Sequence, residues 1–194
     1  MKKNVQYYLS YLSFSVLFFI MQQHAVGQDF ILGLKYGYGT SSFVRQSDDR
    51  KTPAYTTHKV ALTTEFSPYY SKLFIASGLE YEMHELANGL TIPLSVRIVL
   101  GKTIRPFFEG GGYFTYSFTD PQDDYIVKND LGAKVAAGIM LYLKQHWRLE
   151  LGYYYRAGLT PALEEEIPLP LDQVTTEEYR RKAGTVEIAV KYRF

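Results

Sequence analysis

Arg181–Phe194 reads RKAGTVEIAVKYRF. From Val186 on, Val186, Ile188, Val190, Tyr192 and Phe194 take turns with Glu187, Ala189, Lys191 and Arg193. A period of two is the signature of a strand with one apolar and one polar face. The polar face carries charges of both signs, and the chain stops on an aromatic residue of the apolar face. What such a segment packs against decides the fold.

The same pattern recurs seven times upstream. Leu32, Leu34, Tyr36 and Tyr38 oppose Lys35 and a row of glycines. Val60, Leu62 and Phe66 oppose Lys59 and Glu65, and Leu79, Tyr81 and Met83 oppose Glu80 and Glu82. Ile92, Leu94, Val96 and Ile98 oppose Arg97, while Phe108, Phe114, Tyr116 and Phe118 oppose Glu109. Val135, Ile139 and Leu141 oppose Lys134, and Trp147, Leu149, Leu151, Tyr153 and Tyr155 oppose Arg148, Glu150 and Arg156. A soluble sandwich also alternates, so three further features separate the two architectures. The charged face is rich in glycine, which suits a narrow interior where opposite charges pair. The connections (42–56, 67–71, 84–90, 101–104, 119–129, 144–146 and 159–181) alternate long and short. Aromatic residues gather at both strand ends: Phe30, Phe66, Phe108, Trp147, Tyr192 and Phe194 toward the short turns, and Tyr36, Tyr38, Tyr81, Tyr116, Phe118, Tyr153 and Tyr155 toward the long loops. Two aromatic girdles flanking an aliphatic band predict an all-β, eight-stranded antiparallel up-and-down transmembrane β-barrel. Closure follows from the solvent, because in hydrocarbon every backbone amide must find its partner within the protein. Pro93 cannot donate to a ladder, so a gap or bulge is expected there, near the outer rim.

Composition agrees. Of 194 residues, 18 are Tyr, 12 are Phe and none is Cys, which excludes disulfides, thiolate metal sites and a cysteine nucleophile. The formal net charge of +1 excludes the strongly basic surface of a nucleic-acid binder. Lys2 and Lys3, the apolar run Tyr7–Met21 and the small residues Ala25-Val26-Gly27 have the order of a secretory signal peptide. A membrane anchor is the alternative, although the run is short for it and broken by Ser10, Ser13 and Ser15. The expected organisation is therefore a signal peptide over residues 1–27 and a barrel domain over 28–194, in the bacterial outer membrane.

LTIPLSVRIVLGKTIRPFFEGGGYFTYSF (Leu90–Phe118), with Ile92-Pro93-Leu94, Arg105-Pro106-Phe107 and Gly110-Gly111-Gly112, resembles the PorT-type, OmpX-like outer-membrane barrels of Bacteroidetes. GAKVAAGIMLYL, WRLELGYYYRAGL and the terminal VKYRF are similar to the second half of that family. The resemblance implies a small outer-membrane barrel whose namesake takes part in type IX protein secretion. Its motifs are short and architectural, and they carry over no functional residue. The terminal aromatic strand, with Tyr192 and Phe194, also resembles the signal that the barrel assembly machinery recognises. A soluble edge strand is the blander reading of the same residues.

The expected internal feature is a lumen charge network of Lys35, Lys59, Glu65, Glu80, Glu82, Arg97, Glu109, Lys134, Arg148, Glu150, Arg156, Glu187, Lys191 and Arg193. Eight strands leave an interior filled by side chains, so the network is expected to act as a plug. Glu80 and Glu82 share a face and could serve acid–base chemistry, but pairing with lumen cations such as Arg97, Arg148 or Lys134 is the favoured account. Gly110–Gly112 lacks the Lys-Ser/Thr and helix of a phosphate loop and reads as a glycine-rich strand under a packed aromatic. His58, His84 and His146 show no metal-ligand spacing, and neither metal nor cofactor is expected. His58 or His84 with Asp48, Asp49 or Glu82 at the outer rim would be the place for an enzyme acting on lipid A. The mixed charges of Arg45–Lys51 and of Leu159–Arg181, which includes Glu164-Glu165-Glu166, suit contact with lipopolysaccharide or a protein partner. The preferred reading is a non-enzymatic barrel with a structural, adhesive or accessory role in a secretion or uptake assembly. The alternatives are a lipid A or phospholipid-modifying enzyme and a narrow pore.

Overall fold

The computed structural model describes residues 29–47, 50–67, 72–84, 88–102, 104–118, 125–127, 129–143, 146–169 and 173–194. The expected signal segment, residues 1–27, and Asp48 and Asp49 lie outside them. Ten strands follow one another: β1 (Asp29–Arg45), β2 (Tyr55–Ser67), β3 (Leu73–His84), β4 (Asn88–Val99), β5 (Ile104–Phe118), β6 (Tyr125–Val127), β7 (Asp130–Tyr142), β8 (Trp147–Gly158), β9 (Leu163–Leu169) and β10 (Gln173–Arg193). Eight of them, all except β6 and β9, make a closed antiparallel barrel in the order β1-β2-β3-β4-β5-β7-β8-β10, sealed by β10 pairing back onto β1. The seam runs from Ile31↔Arg193 to Arg45↔Tyr179, and the Phe194 amide still donates to the Phe30 carbonyl. The strand opened by the decisive stretch is therefore paired on both sides, to β1 and to β8.

Stagger follows from the register. Direct partners lead from Ile31 through Glu65, Ala76, Ser95, Gly111, Lys134, Arg156 and Ala183 to Ser41, ten residues further along β1. A shear of this size in eight strands belongs with a tilt of about 35–45°.

Burial is inverted relative to a soluble protein. Leu34 is 66% exposed while its neighbour Lys35 is 6% exposed, and Glu80 is fully buried beside the exposed Leu79 and Tyr81. Leu62, Ile75, Leu94, Val135, Ile139, Leu151, Ile188 and Val190 continue the exposed belt around the barrel. A ring of this extent exceeds any apolar patch tolerated in water, and it is the surface a bilayer requires. Aromatic residues border it. At the short-turn end Phe30, Phe194, Tyr192 and Trp147 form a chain of ring contacts 5.0–5.8 Å apart. At the other end Tyr36, Tyr38, Tyr81, Tyr116, Phe118, Tyr153 and Tyr155 are exposed. By the rule for outer-membrane barrels the short turns face the periplasm.

Several local expectations are corrected. The segment 159–181 is no loop: β9 and the first part of β10 form a hairpin from Leu163↔Tyr179 to Leu169↔Gln173, and β6 adds to its edge. The hairpin is anchored by Phe43, Ala162, Leu163 and Tyr179, all buried, with Tyr55 packed against them. Pro93 sits in mid-strand, facing inward, rather than at the rim. The β3–β4 ladder is interrupted between Ser77↔Leu94 and Glu80↔Thr91 with its register unchanged, so there is a gap and no bulge. The Ser77 hydroxyl bridges it by donating to the Pro93 carbonyl at 2.8 Å. Of the three consecutive glycines, Gly111 lies against the Ser95 backbone and Gly110 faces open space. The packed aromatic instead covers Gly138 and Gly152, where an added Cβ would stand 2.6 and 2.8 Å from the Phe107 ring. Gly101, at φ 81°, makes the tight turn between β4 and β5.

Candidate functional site

Because alternate residues point inward, the polar face of every barrel strand lines one narrow lumen. Arg97 of β4 is the hub of its periplasmic half. Its Nη1 donates to Glu65 Oε1 at 2.6 Å and Glu150 Oε2 at 2.5 Å, and its Nε and Nη2 donate to Glu109 Oε2 at 2.9 and 2.5 Å. Lys191 bridges Glu65 and Glu150 at 2.5 and 2.6 Å, and Lys134 lies 2.6 Å from Glu109 Oε1. The Tyr154 hydroxyl donates to Glu150 Oε1 at 2.7 Å, and the Ser95 hydroxyl to Glu109 Oε1 at 2.6 Å. The Arg97 guanidinium also lies 4.4 Å from the Phe107 ring centre. A buried charge is tolerated when its remaining donors and acceptors are met, and Arg97 meets that condition.

The extracellular half is organised around Glu80, Glu82 and Glu187. Lys35 holds Glu80 Oε1 at 2.8 Å and Glu187 Oε2 at 2.7 Å. Arg156 pairs with Glu80 and lies 3.4 Å from Glu82. Arg181 pairs with Glu82, Thr57 donates to Glu82 at 3.0 Å, and Lys59 stands 4.0 Å from it. Glu80 and Glu82 thus pair with lumen cations, Lys35, Lys59 and Arg156 of the expected network and Arg181 besides, but among the described residues not with Arg97, Arg148 or Lys134. Register gives the reason: Glu80 is opposite Thr91, and Arg97 lies six residues further along β4, about 20 Å away at ~3.3 Å per residue.

The other expected network members divide as follows. Arg148 is buried, and among the described residues its ion pair with the network is to Glu65, at 3.9 Å. Arg193 belongs to the periplasmic rim: it is the last residue of β10, is partly exposed and pairs with Asp29 at 2.5 Å. Sequence reasoning missed Arg181, Asp130 and Tyr113, whose hydroxyl donates to Asp130 at 2.8 Å. Arg181 continues the odd-numbered inward row Glu187, Thr185, Ala183, so the alternation already marked it. Also missed was an apolar floor inside the charged lumen, made by Ile31, Phe74, Val99, Phe107, Ala136, Met140 and Tyr154. Odd spacing in RPFFEGGGY put Phe107 and Tyr113 on the polar face, a signal masked by their aromatic character. The void recorded among the lumen charges, next to Lys35, Glu65, Arg97 and Lys191, is about 10 Å³, close to the space one water occupies.

The two rim histidines lie on opposite faces. His58 points outward, with Nδ1 2.8 Å from the Tyr36 hydroxyl and its ring 5.1 Å from that of Tyr38. His84 points inward against Phe43 and Tyr55. They cannot share a substrate atom. Among the described residues no three His, Asp or Glu side chains converge as metal ligands.

An apolar outer belt, two aromatic girdles, a sealed polar interior and a closed ladder define a transmembrane barrel of the bacterial outer-membrane class. Solved structures share the fold: Neisserial surface protein A (13% identity, TM-score 0.62, 85% of this chain and 97% of that one), the N-terminal β-barrel domain of Pseudomonas aeruginosa OprF (11%, 0.54, 87% and 98%) and outer-membrane protein OprG from Pseudomonas aeruginosa (14%, 0.52, 87% and 96%). No protein-family model matches the chain, and no curated protein matches it in sequence.

Proposed function

We propose that this protein is a non-enzymatic outer-membrane barrel that presents a rigid extracellular hairpin to a protein partner or to lipopolysaccharide, as an adhesive or accessory component of a secretion or uptake assembly. The observation that carries this reading is the hairpin. A strand of 9–11 residues spans the bilayer, whereas β10 has 21. The surplus of roughly ten residues at ~3.3 Å each continues well past the aromatic girdle. It is braced as well as paired: Arg45 binds Glu177 at 2.7 Å, and the Tyr179 hydroxyl donates to Glu165 at 2.8 Å above the buried Leu163. Ordered projections on a rigid scaffold are where binding function concentrates. The resemblance of Leu90–Phe118 to PorT-type barrels rests on architectural motifs, and it places an accessory secretion role beside adhesion as a reading of that surface.

Crosslinking and pull-down from native membranes tests the reading. A protein partner captured by the intact chain is expected to be lost when residues 164–178 are replaced by a short Gly-Ser turn, with insertion unchanged. Capture that is indifferent to the replacement would remove the support. The packed lumen favours a plug over a pore, and no steady conductance is expected in planar bilayers. For the enzyme reading, an acyl-chain change in lipid A that depends on His58 or His84 would be required.

A further inference from the structure

The periplasmic mouth of the lumen is a cavity of about 310 Å³ lined by more cations than carboxylates among the described residues. Its walls come from the last inward-facing residues of seven strands, so it opens to periplasmic water and not to the bilayer. Among the described residues, Lys72, Arg105, Arg148 and Arg193 line it against one carboxylate, Asp29. That carboxylate is already taken by Arg193, whose Nε donates to Asp29 Oδ1 at 2.8 Å.

Arg148 is the informative residue. It is 1% exposed, yet its Nε and Nη1 have no hydrogen-bond partner among the described residues. Glu65 stands 3.9 Å from Nη1, beyond hydrogen-bond reach. Its guanidinium lies over the Tyr142 ring at 4.7 Å, and that of Arg105 lies over the same ring at 4.2 Å. Two guanidinium groups are therefore held on one aromatic ring. A buried donor left unmade is costly, and guanidinium forks match planar or tetrahedral oxyanions bidentately. Phe74 and Val99 floor the cavity and offer apolar surface next to the cations. A bare inorganic ion would leave that surface unused, whereas a carboxylate flanked by a small apolar side chain would cover it.

We infer that this mouth binds a free carboxylate at the end of a periplasmic peptide chain. The site does not depend on the hairpin reading, since it lies at the opposite end of the barrel.

The purified full chain in detergent micelles tests it by calorimetric titration with N-acetyl-alanyl-alanine, its C-terminal amide and inorganic phosphate at low salt. The acid is expected to bind saturably at one site, and the amide at least tenfold more weakly. Arg105→Gln, at the partly exposed rim, is expected to weaken the acid at least tenfold while heat-modifiable gel mobility shows the barrel intact. Lys72→Ala is a second rim variant that takes over as the deciding one if Arg105→Gln does not fold, with a weakening of about threefold expected from loss of one screened charge. Equal binding of acid and amide, binding of phosphate without binding of the acid, no binding of the acid, or an affinity indifferent to the folded rim variant would each overturn the assignment.

Discussion

At the scale of single residues, the lumen shows how a charge survives without water. Arg97 reaches three carboxylates and an aromatic face. Among the described residues, removing it leaves Glu65, Glu109 and Glu150 sharing only Lys191 and Lys134 at hydrogen-bond distance in a buried space, one negative charge in excess of those two cations. Arg97→Met is expected to cost about 3–5 kcal/mol, as when one partner of a buried pair is deleted, read from urea unfolding of the refolded barrel in micelles. A cost under about 1 kcal/mol would mean that water already screens the cluster. Steric economy is the second residue-scale feature. Gly152 and Gly138 face the edge of Phe107, so Gly152→Leu is expected to lose about 1–3 kcal/mol by overpacking. Combining it with Phe107→Ala should recover part of the loss in the same unfolding assay. Strict additivity would show that the ring is not what the glycine accommodates.

At the scale of elements, each barrel strand is two surfaces back to back, and the cost of a substitution depends on which surface and how deep. Ile188 pairs with Tyr36 and Leu151 on the outer face near the middle of the belt. Ile188→Lys is expected to cost about 2–4 kcal/mol, and Leu100→Lys at the short-turn end about 0–1 kcal/mol, following the depth dependence of lipid-facing charges. Equal costs at the two depths would contradict the placement of the bilayer. The β9–β10 hairpin reads in sequence as a loop, because Glu164-Glu165-Glu166 and the prolines look like loop chemistry. Its strand character comes from pairing and from the Phe43–Leu163–Tyr179 contact, which joins residues more than a hundred positions apart. The eight barrel strands were legible because each is long and strictly alternating.

At the scale of the molecule, closure is a single cooperative condition. The last rungs of β10 satisfy β1 and β8 together, through Tyr192↔Leu32 and Tyr192↔Trp147. Removing Lys191–Phe194 would leave unpaired amides on both neighbours at the membrane edge, each costly in hydrocarbon. The truncated chain is expected to yield no heat-modifiable barrel in outer-membrane fractions, and Phe194→Ala a reduced yield. Normal assembly of the truncation would show that neither the seam nor a terminal aromatic signal is needed. The molecule's two ends also differ in kind: a braced protein hairpin on one side, and on the other a cationic cavity lined by a buried guanidinium whose Nε and Nη1 have no hydrogen-bond partner among the described residues.

Period-two alternation, aromatic banding and alternating connection lengths were enough to determine a closed eight-stranded barrel with its charges inside, because burial by lipid and exclusion of water act on every strand through the same local period. Which charges meet was decided only by the tertiary structure. A shear of ten residues sets the height of each inward side chain relative to strands far away in the chain. That stagger pairs Glu80 with Lys35 and Arg156 rather than Arg97, brings Arg181 into the lumen and leaves Arg148 facing the periplasmic cavity. Register is a sum over all eight pairings, and no single strand carries it.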